Sequence, residues 1–207
     1  MYFIRHGFSC ANVTHNGHGE GSGVLNHKDY LDPMLSDTGV EDSRSMQGVA
    51  MKMKYDIVCS STLNRAIETA LLMFPNDTVY VVPYAKEIKR TKDSTCQSIA
   101  SKKALFKKTY PNDYKRISFK FVNDENKNKW SLSKCMRFLK DAFGDKKVAI
   151  VSHSLYMVKY LNVPMKPFPF NNCVYTYENG NAAMYHRGRN AHRHQTLKVN
   201  RCRKKVK

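Results

Sequence analysis

Two short apolar runs, Tyr2-Phe3-Ile4 and Val148-Ala149-Ile150-Val151, lie far apart in the chain, and each stops within two residues at a histidine. Both are too short for a helix and rich in strand-favouring residues. Such runs fit strands buried in an open α/β sheet, where ligands bind beyond the carboxyl ends. The chain therefore sets Arg5-His6-Gly7 and Ser152-His153-Ser154 at the ends where a site forms. Gly7 allows the backbone to turn at once after the first run. An imidazole nitrogen with a guanidinium beside it suits attack on a phosphoryl group, because arginine grips phosphate oxygens in a bidentate fork.

The intervening chain alternates in the same way. Ser36 is a suitable N-cap and Asp37 a suitable first-turn acid for a helix running to about Met53. Asp56-Ile57-Val58-Cys59 reads as a buried strand ending in Ser60-Ser61. A helix pattern then runs from Thr62 to Phe74 and is stopped by Pro75. Arg65 falls in its first turn, where unpaired backbone N–H groups favour anions. Thr78–Val82 is a further strand, ended by Pro83. It places Glu87 beyond its carboxyl end as the candidate proton donor, with Asp93 as a weaker one. Lys86, Lys89 and Arg90 flank Glu87 and offer the alternative of a paired surface carboxylate. Residues 91–147 are lysine-rich, with helices expected near 96–109 and 131–143, and read as an insertion or cap beside the core. Asn179-Gly180 between two β-rich runs signals a type I′ hairpin.

The net charge of +18 points to anionic partners. Nine Lys or Arg and no Asp or Glu lie in 187–207. This segment is expected to be a disordered tail, either solvated, an address signal (nuclear among them), or a binder of nucleic acid or anionic lipid. The six cysteines, Cys10, Cys59, Cys96, Cys135, Cys173 and Cys202, form no CxxC pair, so free thiols in a reducing compartment are expected. The glycine-rich loop holding His15, His18 and His27 matches no zinc spacing. No leader is expected ahead of a strand beginning at residue 2, and no apolar run approaches the ~18 residues of a membrane span. The expectation is an intracellular, cytoplasmic protein needing no metal and no cofactor. It has one domain over 1–186 and the tail at 187–207.

Arg5-His6-Gly7, Ser60-Ser61-Thr62-Leu63-Asn64-Arg65-Ala66-Ile67-Glu68-Thr69-Ala70 and Val151-Ser152-His153-Ser154 occur in an order that resembles the histidine phosphatase superfamily, which includes phosphoglycerate mutase. Pro33-Met34-Leu35-Ser36-Asp37-Thr38-Gly39 resembles the family's lead-in to its first long helix. The resemblance covers most of 1–185. It implies a three-layer α/β/α sandwich with a mostly parallel sheet, phosphoglycerate mutase-like, edged by an antiparallel C-terminal hairpin. It also implies that His6 is the phosphoacceptor. Arg5, Asn12, Arg65 and a protonated His153 would bind the phosphoryl group, and Glu87 would donate the proton. Phe8 departs from the Glu or Gln often found after the glycine. The expected activity is metal-independent hydrolysis of a phosphomonoester, on a small molecule or a phosphoprotein. The alternatives are a mutase-like phosphotransferase and a non-catalytic phosphate- or nucleic-acid-binding protein.

Overall fold

The computed structural model describes residues 1–15, 30–88, 91–164, 170–188 and 200–202. His18, His27, Lys89, Arg90 and most of the basic tail lie outside the described residues, as does the side chain of His15. The strands are β1 (Tyr2–Arg5), β2 (Ile57–Ser60), β3 (Val79–Val81), β4 (Ile117–Ser118), β5 (Val148–Ser152), β6 (Val174–Glu178) and β7 (Asn181–His186). They form one sheet in the order β4-β3-β2-β5-β1-β6-β7. The first five are mutually parallel, while β6 runs antiparallel to β1 and to β7. This is the expected mostly parallel sheet with an antiparallel edge hairpin. Asn179 and Gly180 turn that hairpin with φ of 49° and 83°, the left-handed pair that a type I′ turn demands.

Alternation along each strand divides the core in two. Ile4, Val58, Val79, Val81, Ala149 and Val151 face one layer. Phe3, Cys59, Val148 and Ile150 face the other. The helices are α1 (Cys10–His15), α2 (Asp37–Ser45), α3 (Gln47–Ala50), α4 (Asn64–Met73), α5 (Ile99–Thr109), α6 (Leu132–Phe143) and α7 (Ser154–Tyr160). Residues of α3, α4 and α5 fill the first layer, with Met46 beside them. Residues of α6 and α7 fill the second. Ser36 caps α2 by accepting from Gly39 N at 3.1 Å. The single helix expected to Met53 is instead two, because Met46 N bonds back to Ser43 O, three residues away, and interrupts the i−4 ladder. Among the described residues, no helix is long and apolar enough to cross a membrane.

Three further sequence expectations are corrected. Residues 91–147 are not a cap: β4 extends the sheet beyond β3, and Phe106, Ile117, Phe119 and Val122 are buried in the main core. Its lysines hid this, since α5 buries little else than Phe106 and Lys102. The tail also returns to the body at residues 200–202. Cys202 is disulfide-bonded to Cys10, 192 residues earlier, so these two are not free thiols. The carbonyl of Cys202 accepts from Tyr30 Oη at 2.6 Å, and Arg201 N donates to Asp37 at 2.9 Å. Arg201 also pairs with the buried Glu68 at 2.7 Å. Charge composition suggested disorder because it carries no information about partners so distant in sequence.

A crosslink spanning most of the chain restricts the unfolded ensemble, and disulfides typically contribute about 3 kcal/mol in this way. Cys202→Ser is expected to lower Tm by roughly 6–12 °C, read by non-reducing thermal denaturation. Wild type with a phosphine reductant should fall to the same value, while the variant should not respond. Equal melting of both proteins without reductant would show that the crosslink does not form in solution.

Candidate active site

Register brings the site together. Arg5 pairs with Ser152, and Ser60 with both Val151 and Val81, so four parallel strands end at one level. His6 N extends the ladder by one bond, donating to Ser152 O at 3.0 Å. Arg5, His6, Arg65, Glu87 and His153 are all buried at this edge.

Gly7 is fixed by contact rather than by dihedral freedom. Its φ is not positive, but a Cβ there would stand 2.4 Å from Ser43 Oγ. Gly39 is tighter still, with a virtual Cβ 2.0 Å from Phe8 O. The two glycines let the start of α2 press onto the loop after His6. Phe8 is buried with Cys10, Val13 and Cys202 in a satellite cluster.

His6 Nδ1 lies 2.6 Å from Gly7 O. A carbonyl only accepts, so Nδ1 carries the proton and Nε2 keeps its lone pair. That nitrogen lies 3.2 Å from Arg65 Nε, which donates to it. Arg65 NH1 donates to Asp93 O at 2.7 Å. Asp93 thus serves this arginine through its backbone. One turn on, Thr69 Oγ1 accepts from Gly7 N at 2.9 Å and donates to Arg65 O at 2.7 Å, stitching α4 to the loop. The rings of His6 and His153 are 5.1 Å apart. His153 Nε2 lies 2.6 Å from Ser61 Oγ, and its Nδ1 is buried without a hydrogen-bond partner among the described residues.

Burial, then Arg65 and Arg5, holds His6 well below its ordinary pKa of 6.5. Burial, then Arg65, His6, Lys86 and Arg5, does the same to His153. Cations surround His153, so burial and these charges favour its neutral form in the protein alone, and the protonated form expected from the sequence is one that a bound dianion would favour. Arg5 is lowered by burial to about 10 and stays charged near neutrality. Glu87 is pushed the other way. Burial raises its pKa above 4.5 against the pull of Arg65, the amide of Ile88 and Arg5. Ile88 N donates to Glu87 Oε1 at 2.9 Å. Glu87 is buried, not the surface carboxylate that its basic neighbours allowed for. Lys86 is buried too, donating to the carbonyls of Ser94 and Glu87.

Asn12 sits apart from the others in role. Its Oδ1 accepts from Ser9 N and Ser9 Oγ, each at 3.0 Å, at the start of α1. Asn171, which no sequence signal singled out, donates to His6 O at 2.9 Å and reaches Asn12 Oδ1 at 3.5 Å. Asp32 was likewise missed. It is buried beside the start of α4, accepting from Asn64 N at 2.8 Å and from the buried ammonium of Lys102. Its φ of 50° is one that Asp and Asn tolerate better than most residues.

A sequence model of the histidine phosphatase superfamily (branch 1) matches residues 1–163. No curated protein sequence is similar enough to match. Among solved structures, a phosphoglycerate mutase from Bacillus anthracis is similar with TM-score 0.54 and 17% identity, over 92% of this chain and 93% of that one. A phosphoserine phosphatase mutant from Entamoeba histolytica, in complex with phosphoserine, gives TM-score 0.52 and 19% identity, over 92% and 97%. A putative alpha-ribazole-5′-P phosphatase from Escherichia coli gives 0.50 and 17%, over 92% and 96%. At these identities the likeness is one of fold.

Proposed function

The chain belongs to the histidine phosphatase superfamily, and within it we propose a phosphomonoesterase that works through a phosphohistidine on His6. The observation that carries this reading is the tautomer: Gly7 O holds the Nδ1 proton and leaves Nε2 with an available lone pair. The depressed pKa keeps that nitrogen unprotonated at neutral pH.

In the first step Nε2 attacks phosphorus and the bond to the ester oxygen breaks. The leaving oxygen takes the proton of Glu87, whose burial favours the protonated carboxyl. A phosphoryl oxygen takes over the hydrogen bond that Arg65 Nε gives to Nε2. Arg5, Arg65 and His153 meet the three equatorial oxygens, with His153 offering Nδ1 and gaining charge only against a bound dianion. In the second step water attacks phosphorus, Glu87 carboxylate takes a water proton, and the P–N bond breaks to release phosphate. Asn12 supports the loop after His6 through Ser9 and Asn171.

Transfer to a second acid, as in a mutase, would use the same residues. Hydrolysis is favoured because 91–147 matches no mutase motif. Phosphate release from p-nitrophenyl phosphate in excess EDTA tests the proposal, with isomerisation of phosphoglycerate measured in parallel. Isomerisation without phosphate release would reassign the enzyme as a mutase, and neither reaction would remove catalysis altogether. A nucleic-acid role for the tail rests on its charge alone, and Arg201 is committed to Glu68. A cytoplasmic location carries a condition, since there the Cys10–Cys202 pair would be held reduced.

Glu87 should set the pH profile. The rate rises as pH climbs through the depressed pKa of His6, which must be unprotonated. It falls as pH climbs through the raised pKa of Glu87, which must be protonated in the first step. Glu87→Gln is expected to lower kcat for alkyl phosphates about 10²–10³-fold and to abolish the alkaline limb. The loss on p-nitrophenyl phosphate should be much smaller, because that leaving group needs no proton. An unchanged alkaline limb in the variant would assign the acid elsewhere.

A further inference from the structure

The loop before α6 forms a recess with Tyr84, just beyond the carboxyl end of β3. Tyr84, Asn128, Lys129, Trp130, Ser131 and Lys134 line a cavity of about 440 Å³. Two of these residues are aromatic, two are cationic and none is acidic. Lys129 and Lys134 are exposed, while Tyr84 and Trp130 are partly buried. Tyr84 takes a φ of 69° and pairs with Trp130, and its carbonyl accepts from Ser131 N at 3.0 Å.

The recess is fastened to the phosphoryl end of the site. The ammonium of Lys86 lies 5.1 Å from the Trp130 ring centroid and donates to Ser94 O. The carbonyl of the neighbouring Asp93 holds Arg65. Thr62, next to the Ser61 that meets His153, donates to Lys127 O at 2.6 Å. Asn128 Oδ1 accepts from Cys96 N at 2.9 Å. Tyr84 is three residues from Glu87, the group that would protonate the leaving oxygen.

We propose that this recess receives the leaving group, and that the preferred substrate is a small phosphomonoester whose alcohol carries an aromatic ring and a second anionic group. This deepens the phosphatase reading and rests on it. The ring stacks on Trp130 and Tyr84, interactions worth roughly tenfold or more in affinity per aromatic platform. The anionic group meets Lys129 and Lys134, a contact that weakens with salt.

The test compares 4-carboxybenzyl phosphate with glycerol 2-phosphate, both esters of alkyl alcohols. Wild type should favour the first in kcat/KM. Trp130→Ala should reduce the ratio about tenfold, and Trp130→Phe should restore most of it. Lys134→Glu, at an exposed position that folding tolerates, should reduce the ratio several-fold at low salt and less at high salt. Binding can be read without turnover, because Trp130 is the chain's one tryptophan. In His6→Ala protein, 4-carboxybenzyl phosphate should quench its fluorescence saturably, and glycerol 2-phosphate should not. Ratios unmoved by both Trp130→Ala and Lys134→Glu, or a quench equal for the two esters, would overturn the subsite. If wild type releases phosphate from p-nitrophenyl phosphate but from neither ester, the preferred-substrate claim fails while the phosphatase reading stands; if it releases none from any of the three, the phosphatase reading fails, and the fluorescence titration alone then decides the recess.

Discussion

His6→Ala should lower kcat by at least about 10⁴-fold, a loss of roughly 5 kcal/mol in transition-state stabilisation. The covalent route disappears with the imidazole whose Nε2 accepts from Arg65 Nε. The direct observation is a phosphoenzyme: wild type quenched during turnover should carry acid-labile, alkali-stable phosphate, and the variant none. Arg65→Ala should cost less, about 3 kcal/mol or a hundredfold, because Arg5 and His153 remain to meet the phosphoryl oxygens. A tenfold loss in His6→Ala with no trappable intermediate would make His6 a phosphate-positioning group and turn the mechanism to direct attack by water.

The groups in this prediction are those that periodicity exposes. His6 and His153 follow buried strands, and Arg65 follows one by way of a helix start, so strand register alone delivers them to one edge. What was not legible depends on partners across long stretches of irregular chain. Its basic neighbours left Glu87 open between proton donor and paired surface carboxylate; Lys86 turns toward Ser94 and Trp130, and Glu87 is buried. Glu68 receives Leu35 N, Tyr110 and Arg201 from three separate segments. Every residue of α4 is buried, the polar Asn64, Arg65, Glu68 and Thr69 included. A helix that polar can be buried only if each group is paired, and the pairing residues carry no local pattern. Cys202 shows the same limit, since nothing near it in sequence points to Cys10.

The pairing also supplies the largest expected stability effect away from the chemistry. Lys102 is fully buried, and its ammonium bonds Asp32 and Asn64 Oδ1, the latter at 2.7 Å. Asp32 in turn caps α4 through Asn64 N and accepts from Gln97 N at 3.0 Å. Lys102→Met keeps the apolar stem but leaves the Asp32 carboxylate buried with two amides against its charge. Breaking a buried pair in this way costs about 3–5 kcal/mol, or roughly 6–20 °C in Tm for a chain of this size. If the uncompensated charge is the cause, Asp32→Asn in the Lys102→Met background should recover at least half of the loss. Asparagine keeps the acceptor for Asn64 N and tolerates the positive φ. No recovery would assign the loss to packing around the lysine stem instead. The charge argument also couples stability to activity. Asp32 fixes the first turn of the helix that carries Arg65, so the single variant should lose kcat/KM even well below its melting temperature, and the double variant should regain it in step with Tm.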